Sequence, residues 1–342
     1  MPAQTRSKRS ASSKDEPSEP PAKAAKTAKQ PATKKQGGKV ETKQASDGTA
    51  STTASLMKRL LSEEVYALAY PRIEKGHGEK DWSEEERVKP LPKEKAGQME
   101  AEQRTDADGG QDRSTGKARG YTSPGLTPFA ELICAILLSK PLSHRLGLRT
   151  IATLFSPPFG LYTPEALEKA GKEGRREPMY EARTQHKDKT ADQLGDVVQG
   201  LREICGDNEQ DVIQLKAVRE AVQGQKRNEA VETARSKLTS GVKGLGPTGV
   251  DIFLRRIQAH EGWHAVYPFM DSRTASIAVR LELIDEKAAG DSLRAASDLD
   301  EMLNKHVKSA SDEKRRQAFT RLLDVLVGLD LEKKLDAVKN DS

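Results

Sequence analysis

The chain has 342 residues, of which 35% are hydrophobic, 4% aromatic and 32% charged, and its formal net charge is +5. The apolar fraction is low for a chain that folds throughout, so we predict that a sizeable part joins no hydrophobic core. The longest clear apolar run, Leu132 to Leu138, is far short of the ~20 residues that span a bilayer, and no hydrophobic secretory signal opens the chain. We expect a soluble intracellular protein with no membrane partner.

The chain contains two cysteines, Cys134 and Cys205. Two thiols cannot build a disulfide framework, a four-cysteine zinc site or a cysteine-bound iron–sulfur cluster. His260 and His264 lie four residues apart, but a glycine separates them and no carboxylate partner is obvious. We therefore expect no metal, no iron–sulfur cluster and no other cofactor.

The positive charge is concentrated at the N-terminus. Residues 1–50 contain eleven Lys or Arg and five Asp or Glu, so the remainder of the chain is close to neutral. This segment is rich in Lys, Ala, Pro and Ser and lacks aromatic residues, which predicts a disordered basic tail. Such a tail favours attraction to a phosphate backbone or import into the nucleus, and a solubilising leader is the alternative.

In chain order, the first helix signal is a short one over residues 56–69, where Leu60, Leu61, Val65 and Leu68 have near-helical spacing. Residues 71–118 return to polar sequence rich in Gly, Lys and Glu. We therefore predict that residues 1–118 are a disordered basic tail and linker that contain this one short helix.

Residues 119–330 carry the signals of a folded body. Thr127 and Thr163 each precede a proline, the arrangement of a helix N-cap followed by proline in the first turn. Apolar residues recur at helical spacing in three sets: Leu148, Ile151, Ala152 and Phe155; Leu194, Val197, Val198 and Leu201; Phe319, Leu322, Leu323 and Leu326. Convincing strand alternation is absent, so the fold class is all-α, with residues 331–342 as a C-terminal end.

The most informative segment is a glycine-rich turn between two helical patterns. It consists of Lys243, Gly244, Leu245, Gly246, Pro247, Thr248 and Gly249. The glycines permit a tight turn and a close approach of the backbone to a ligand, and Leu245 can point inward to join the helices. Pro247 suits the first turn of the next helix, whose free amides form an anion site. This pattern predicts a helix-hairpin-helix contact with one phosphate of a nucleic acid.

This hairpin, followed by the segment Tyr267-Pro268-Phe269-Met270-Asp271, resembles the helix-hairpin-helix (HhH-GPD) DNA glycosylases of the endonuclease III type. The resemblance covers about residues 120–285. It implies a two-lobed helical body with a cleft between the lobes, double-stranded DNA as the partner, and hydrolysis of the N-glycosidic bond of a damaged or mismatched base in base excision repair.

The resemblance also assigns roles to single residues. Asp271 matches the family's catalytic aspartate, which stabilises positive charge on the sugar; an N-cap for the following helix is the alternative, and both roles can coexist. Thr248 stands where bifunctional members carry a lysine, and a hydroxyl cannot form the Schiff base that cuts the strand. Lys140 lies where the family commonly has a glutamine loop and is expected to contact phosphate instead.

Trp263 and Tyr267 could stack on a base, although aromatic residues at this spacing more often pack in a core. The expected DNA-binding set is thus Lys243, Gly244, Leu245, Gly246, Thr248, Gly249 and Lys140, with Asp271 as the catalytic residue. The sequence predicts a nuclear, monofunctional DNA N-glycosylase. The alternative is a non-catalytic helix-hairpin-helix module that binds DNA, with association with chromatin as one form of it.

Overall fold

The structure is a computed structural model that describes residues 47–71 and 119–340, which belong to one compact unit. These described ranges contain fifteen α-helices and no strand, so the all-α prediction is confirmed for them. None of the described helices is long and apolar enough to cross a membrane. The predicted disordered tail and linker, apart from residues 47–71, lie outside the described residues.

The helices follow one another with short connections, and a 3-10 turn at His264–Val266 lies between the helices Pro247–Ile257 and Ser272–Arg280. Their bounds are α1 (Asp47–Leu60), α2 (Glu63–Ala69), α3 (Pro128–Leu138), α4 (His144–Phe155), α5 (Pro164–Glu181), α6 (Lys187–Cys205), α7 (Glu209–Ile213), α8 (Lys216–Val222), α9 (Arg227–Gly241), α10 (Pro247–Ile257), α11 (Ser272–Arg280), α12 (Glu286–Ala289), α13 (Ser292–His306), α14 (Asp312–Leu331) and α15 (Leu335–Asn340).

The helix starts predicted from Thr-Pro pairs are confirmed. The side chain of Thr127 accepts a hydrogen bond from the amide of Ala130, and that of Thr163 accepts one from Ala166, both at 3.2 Å. Each bond satisfies an amide that the first turn of a helix leaves without a partner. The three apolar sets predicted to line helix faces are buried in α4, α6 and α14.

Helix α3 lies at the centre of the fold. Its residues from Pro128 to Leu137 are all buried, as expected of a helix that is apolar on every side. Cys134 is fully enclosed in it, and burial raises the pKa of its thiol well above the usual value. The one buried charge on α3, Glu131, faces α10, the helix that follows the hairpin.

The folded unit extends beyond the boundaries predicted from sequence. The single helix expected over residues 56–69 is two helices, because Ser62 interrupts it and accepts a hydrogen bond from the amide of Val65 at 3.3 Å to start α2. Leu60 and Val65 are buried in the common core. At the other end, α15 buries Leu335 and Val338, so residues beyond 330 also belong to the body.

Gly328 explains how closely α2 packs on α14. A Cβ atom at this position would lie 2.7 Å from the backbone oxygen of Ala69, which is too close for any other residue. The helix pair therefore depends on a glycine at the contact, and residues 47–71 are an integral part of the body.

We predict that Leu60→Ala lowers the free energy of unfolding by about 2–5 kcal/mol, because it leaves a cavity in the core. Leu68→Ala is the matched control: Leu68 is 39% exposed in the same segment, so its loss should change stability by less than about 0.5 kcal/mol. Urea unfolding followed by circular dichroism measures both. Equal effects of the two changes would contradict the packing of this segment.

Candidate functional site

The predicted hairpin is formed by α9, a short turn and α10. The amide of Leu245 donates to the oxygen of Val242 at 3.1 Å and closes the turn. Gly244 has φ +80°, a conformation that side chains other than glycine rarely adopt, so this position requires glycine. Leu245 is buried, which places its side chain between the helices as the sequence predicts.

The first turn of α10 is exposed to solvent at Pro247 and Thr248, whereas Gly249 is buried. Pro247 has no amide proton, and in the described part of the chain the amides of Thr248 and Gly249 have no hydrogen-bond partner. Gly246 caps the helix with φ −90°, and no atom lies within 4 Å of a Cβ placed on it. Open backbone with unpaired amides at a helix N-terminus suits an anion such as phosphate.

The two predicted lysines both contact α6 beside the hairpin turn. The ammonium of Lys243, whose side chain is 81% exposed, is 3.0 Å from Asp196 on α6. Lys140 donates to the amide oxygen of Gln193, whose amide nitrogen donates to the oxygen of Gly244 at 2.9 Å. Gln193 thus holds Lys140 beside the hairpin. Burial, together with the charge of Lys189, lowers the pKa of the Lys140 ammonium.

A cleft of about 450 Å³ opens between the start of α10, the start of α11 and the loop before α4. This volume is within the range of small-molecule sites. Of the predicted residues it brings together Lys140, Thr248 and Asp271. Its other polar or aromatic lining residues are Tyr70, Tyr121, Ser139, Ser143, His144, Asp251, Arg255, Ser272 and Arg273.

Asp271 is both a helix cap and a lining residue of the cleft. Its Oδ1 accepts from the amide of Thr274 at 2.9 Å and from the Thr274 hydroxyl at 3.1 Å. Its Oδ2 accepts from Nη1 of Arg255 at 2.7 Å. Burial acts to raise the pKa of this carboxyl, but the charge of Arg255 and the hydrogen bonds outweigh it, so the pKa is lowered. Asp271 is therefore ionised at neutral pH and has a buried counter-charge.

The sequence analysis missed Asp251, a second carboxylate in the cleft. Its Oδ1 accepts two hydrogen bonds from Arg235, at 3.0 and 2.7 Å. Burial raises its pKa more than Arg235 lowers it, and the charge of Asp271 raises it further. Two carboxylates whose pKa values are shifted in opposite directions suit different tasks. Asp271 suits a fixed negative charge, and Asp251 suits a proton acceptor. Its position three residues after Thr248, on the same helix face, was the available signal.

One wall of the cleft is aromatic and comes partly from the N-terminal segment. The ring centroid of Tyr70 lies 5.5 Å from those of both Tyr121 and His144. His144 also forms a 3.0 Å hydrogen bond through Nδ1 to Glu332, while burial lowers its pKa. The sequence analysis missed this wall because it placed Tyr70 at the edge of a linker.

Two aromatic candidates lie elsewhere. Trp263 is fully buried edge-to-face against Phe253, and the Tyr267 hydroxyl donates to Asp300. Neither residue lines the cleft, so the interpretation of both as core residues is favoured and their role as base contacts is not supported.

The two histidines of the HEGWH segment do not form a pair. His260 has Nε2 3.7 Å from Glu131, whereas His264 is exposed. Among the described residues, no group of three His, Cys, Asp or Glu side chains is placed to hold a metal ion.

Comparison with protein-family models, with curated proteins and with solved structures finds no match for this chain. The likeness to the helix-hairpin-helix glycosylases therefore rests on the hairpin and on the residues of the cleft.

We predict that Asp271→Asn lowers the free energy of unfolding by about 3–5 kcal/mol at pH 7, because it removes the closer of the two carboxylates that pair with the buried Arg255. The folded-state pKa of Asp271 lies below the unfolded value, so its contribution is complete above about pH 4 and is lost as the pH falls through the folded value. Urea unfolding at several pH values measures the difference.

The difference between wild type and variant should narrow below about pH 4. Asp298→Asn is the control, because Asp298 is a largely exposed partner of Arg294 and its replacement should have little effect at any pH. A stability difference for Asp271→Asn that is constant across this range would contradict the assignment of the ion pair.

Proposed function

We propose that this protein is a monofunctional DNA N-glycosylase of the helix-hairpin-helix kind, acting in base excision repair. The observation that carries the proposal is the meeting of three features at one cleft: the open first turn of α10, Thr248 within that turn, and the ionised Asp271. In this proposal the cleft lies between two helical lobes, as the resemblance implies. No cofactor takes part.

Double-stranded DNA binds through its backbone in this proposal. The exposed, unpaired amide of Thr248 receives one phosphate, and Lys140 and Lys243 beside the hairpin add positive charge. These contacts read no sequence and set the position of the duplex against the cleft. The basic tail adds nonspecific attraction and directs the protein to the nucleus.

The base to be removed is extruded into the cleft. A volume of about 450 Å³ accommodates a nucleotide, and the wall of Tyr70, Tyr121 and His144 offers ring faces and edges to a base. Unstacking costs least for a damaged or mismatched base, which favours such a base as the substrate.

Bond cleavage then follows from the two carboxylates. The bond between the base and C1′ breaks with its electron pair going to the base, and Asp271 stabilises the positive charge that develops on the sugar. Water forms the new bond to C1′, and its proton passes to Asp251 and then to the departing base or solvent. Thr248 has no amine, so no covalent intermediate forms and the strand is not cut.

One observation favours the non-catalytic alternative, a DNA-binding module that uses the hairpin and tail alone. Arg255 occupies Oδ2 of Asp271 at 2.7 Å, and a carboxylate with a full counter-charge has less to offer a sugar cation. Binding and base release therefore need separate tests.

Gly246→Val tests the hairpin as a phosphate contact. The protein has room for the added side chain, so the fold should be retained, but the bulk should keep the backbone away from phosphate. We expect duplex affinity to fall about tenfold or more irrespective of sequence. The control is Gly290→Val, at another exposed glycine with ordinary φ and open space. Fluorescence anisotropy with labelled duplexes measures both, and equal affinities would rule out the hairpin contact.

Asp271→Asn and Asp251→Asn test catalysis on a panel of duplexes that each carry one modified base. For a base that the wild type releases, each variant should lower the rate of abasic-site formation by about 100-fold or more, while duplex affinity holds. Asp298→Asn should release the base at the wild-type rate. Borohydride should trap no protein–DNA adduct, since Thr248 has no amine.

The panel also separates the two functions. If the wild type binds duplexes through the hairpin but releases no base, the non-catalytic module is the correct description. A trapped adduct would show that another amine is the nucleophile and would overturn the monofunctional mechanism.

A further inference from the structure

Asp271 is the end of a chain of buried charges that runs from the cleft to a second cavity of about 270 Å³, which Asp324, Arg256 and Glu131 line. Nη1 of Arg255 lies 2.7 Å from Oδ2 of Asp271, and Nε of the same guanidinium lies 3.6 Å from Oδ1 of Asp324 on α14. Arg255 is therefore placed between two carboxylates, of which only Asp271 lines the cleft.

The chain continues behind Asp324. Nη1 of Arg256 lies 2.6 Å from Oδ2 of Asp324, and Nη2 lies 2.8 Å from Oε1 of Glu131 on α3. None of the five side chains is more than 12% exposed. Carboxylates and guanidiniums thus alternate in the order Asp271, Arg255, Asp324, Arg256, Glu131.

This alternation leaves a net charge. With His260, whose Nε2 lies 3.7 Å from Oε1 of Glu131, counted as neutral, three carboxylates and two guanidiniums carry a formal charge of −1, and the Tyr121 hydroxyl that donates to Asp324 at 3.1 Å is neutral. The other carboxylate of the cleft, Asp251, shares Arg235 with Glu232, whose side chain is 70% exposed, so water screens that excess charge. The unbalanced negative charge that is buried belongs to the chain that begins at Asp271.

The remaining cations around the cleft lie outside this chain. Lys140 is bonded to Gln193, and Arg273 shares Asp330 with Arg280 at 2.9 and 2.7 Å. In the proposed function these groups contact phosphates of the bound strand. The sugar of an extruded nucleotide lies on the cleft side of Asp271, and the chain of charges lies on its other side.

We propose that Asp324 is a positioning residue that draws the charge of Arg255 away from Asp271, so that the cleft selects a cationic sugar ring over a neutral one. This inference rests on the proposed function, because it assumes that DNA presents an extruded sugar to Asp271. If Arg255 paired with Asp271 alone, the two charges would cancel. Because Asp324 lies on its other side, Arg255 is shared between two carboxylates. A cation in the cleft then neutralises the negative charge that Arg255 leaves on Asp271.

Two abasic-site analogues test this charge without knowledge of the substrate base. One duplex carries a pyrrolidine ring, whose protonated nitrogen is a cation, and the other carries the neutral tetrahydrofuran ring. The wild type should bind the cationic duplex about tenfold more tightly or better, since the cation resembles the charge of the transition state. Anisotropy competition gives the ratio of the two Kd values at constant salt.

Asp324→Asn should reduce this ratio to near one while leaving affinity for the tetrahydrofuran duplex unchanged. Asp300→Asn is a closely matched control: Asp300 is buried, accepts from the Tyr267 hydroxyl and pairs with Arg315, but lies outside the chain of charges. Its ratio should equal that of the wild type. A merely structural role for Asp324 would not change the ratio.

The double variant Arg255→Gln with Asp324→Asn removes one charge of each sign and keeps the net charge at −1. It should retain the preference for the cationic duplex, and it decides the matter if Asp324→Asn alone does not fold. Loss of the preference in the double variant would overturn the proposal.

The outcomes also separate this inference from the proposed function. A wild type that releases a base but shows no cationic preference overturns the inference alone. A cationic preference without release of any base overturns the proposed hydrolysis alone. Failure to bind either duplex overturns both.

Discussion

The ion pairs of Arg255 and Arg256 are the constraint on which the rest of the site depends. Removing a charge from water costs several kcal/mol, and only close partners offset that cost, so these two guanidiniums must meet their carboxylates or the body loses stability. The partners come from α3, the N-terminus of α11 and α14. Satisfying two consecutive arginines on α10 therefore fixes three other helices around it.

Helix α10 connects the two parts of the site. Its first turn is the open end of the hairpin, and its last turn carries Arg255 and Arg256. Eleven residues of α-helix span about 16 Å, so one rigid element sets the distance between the hairpin turn and the arginine that pairs with Asp271. Gly249 makes room for the hairpin leucine, because a Cβ there would lie 2.6 Å from Cδ1 of Leu245 and 3.3 Å from the Ser139 hydroxyl.

Local patterns were enough to predict the helical class, the caps at Thr127 and Thr163, the inward position of Leu245 and the N-cap role of Asp271. Each depends on residues that are close in sequence. The partners of Asp271 and Lys140 could not be predicted in this way. Arg255 and Gln193 lie in other helices, and nothing in the sequence around them indicates which residues they contact in the fold. The N-terminal segment was misassigned for a similar reason: its apolar residues are few, and their burial depends on the distant α14.

A chain of five buried charges is a poor way to stabilise a helical core, since apolar side chains of similar volume stabilise as well or better. Its location beside the cleft indicates a role other than stability. The chain begins at the cleft with the ionised carboxylate of Asp271. The partner of this carboxylate, Arg255, also pairs with Asp324, and the formal charges of the five side chains do not sum to zero. A charge held out of water acts on a ligand with less screening than the same charge at the surface. In the mechanism proposed above, the stability given up in the core supports an electrostatic preference for a sugar cation beside Asp271.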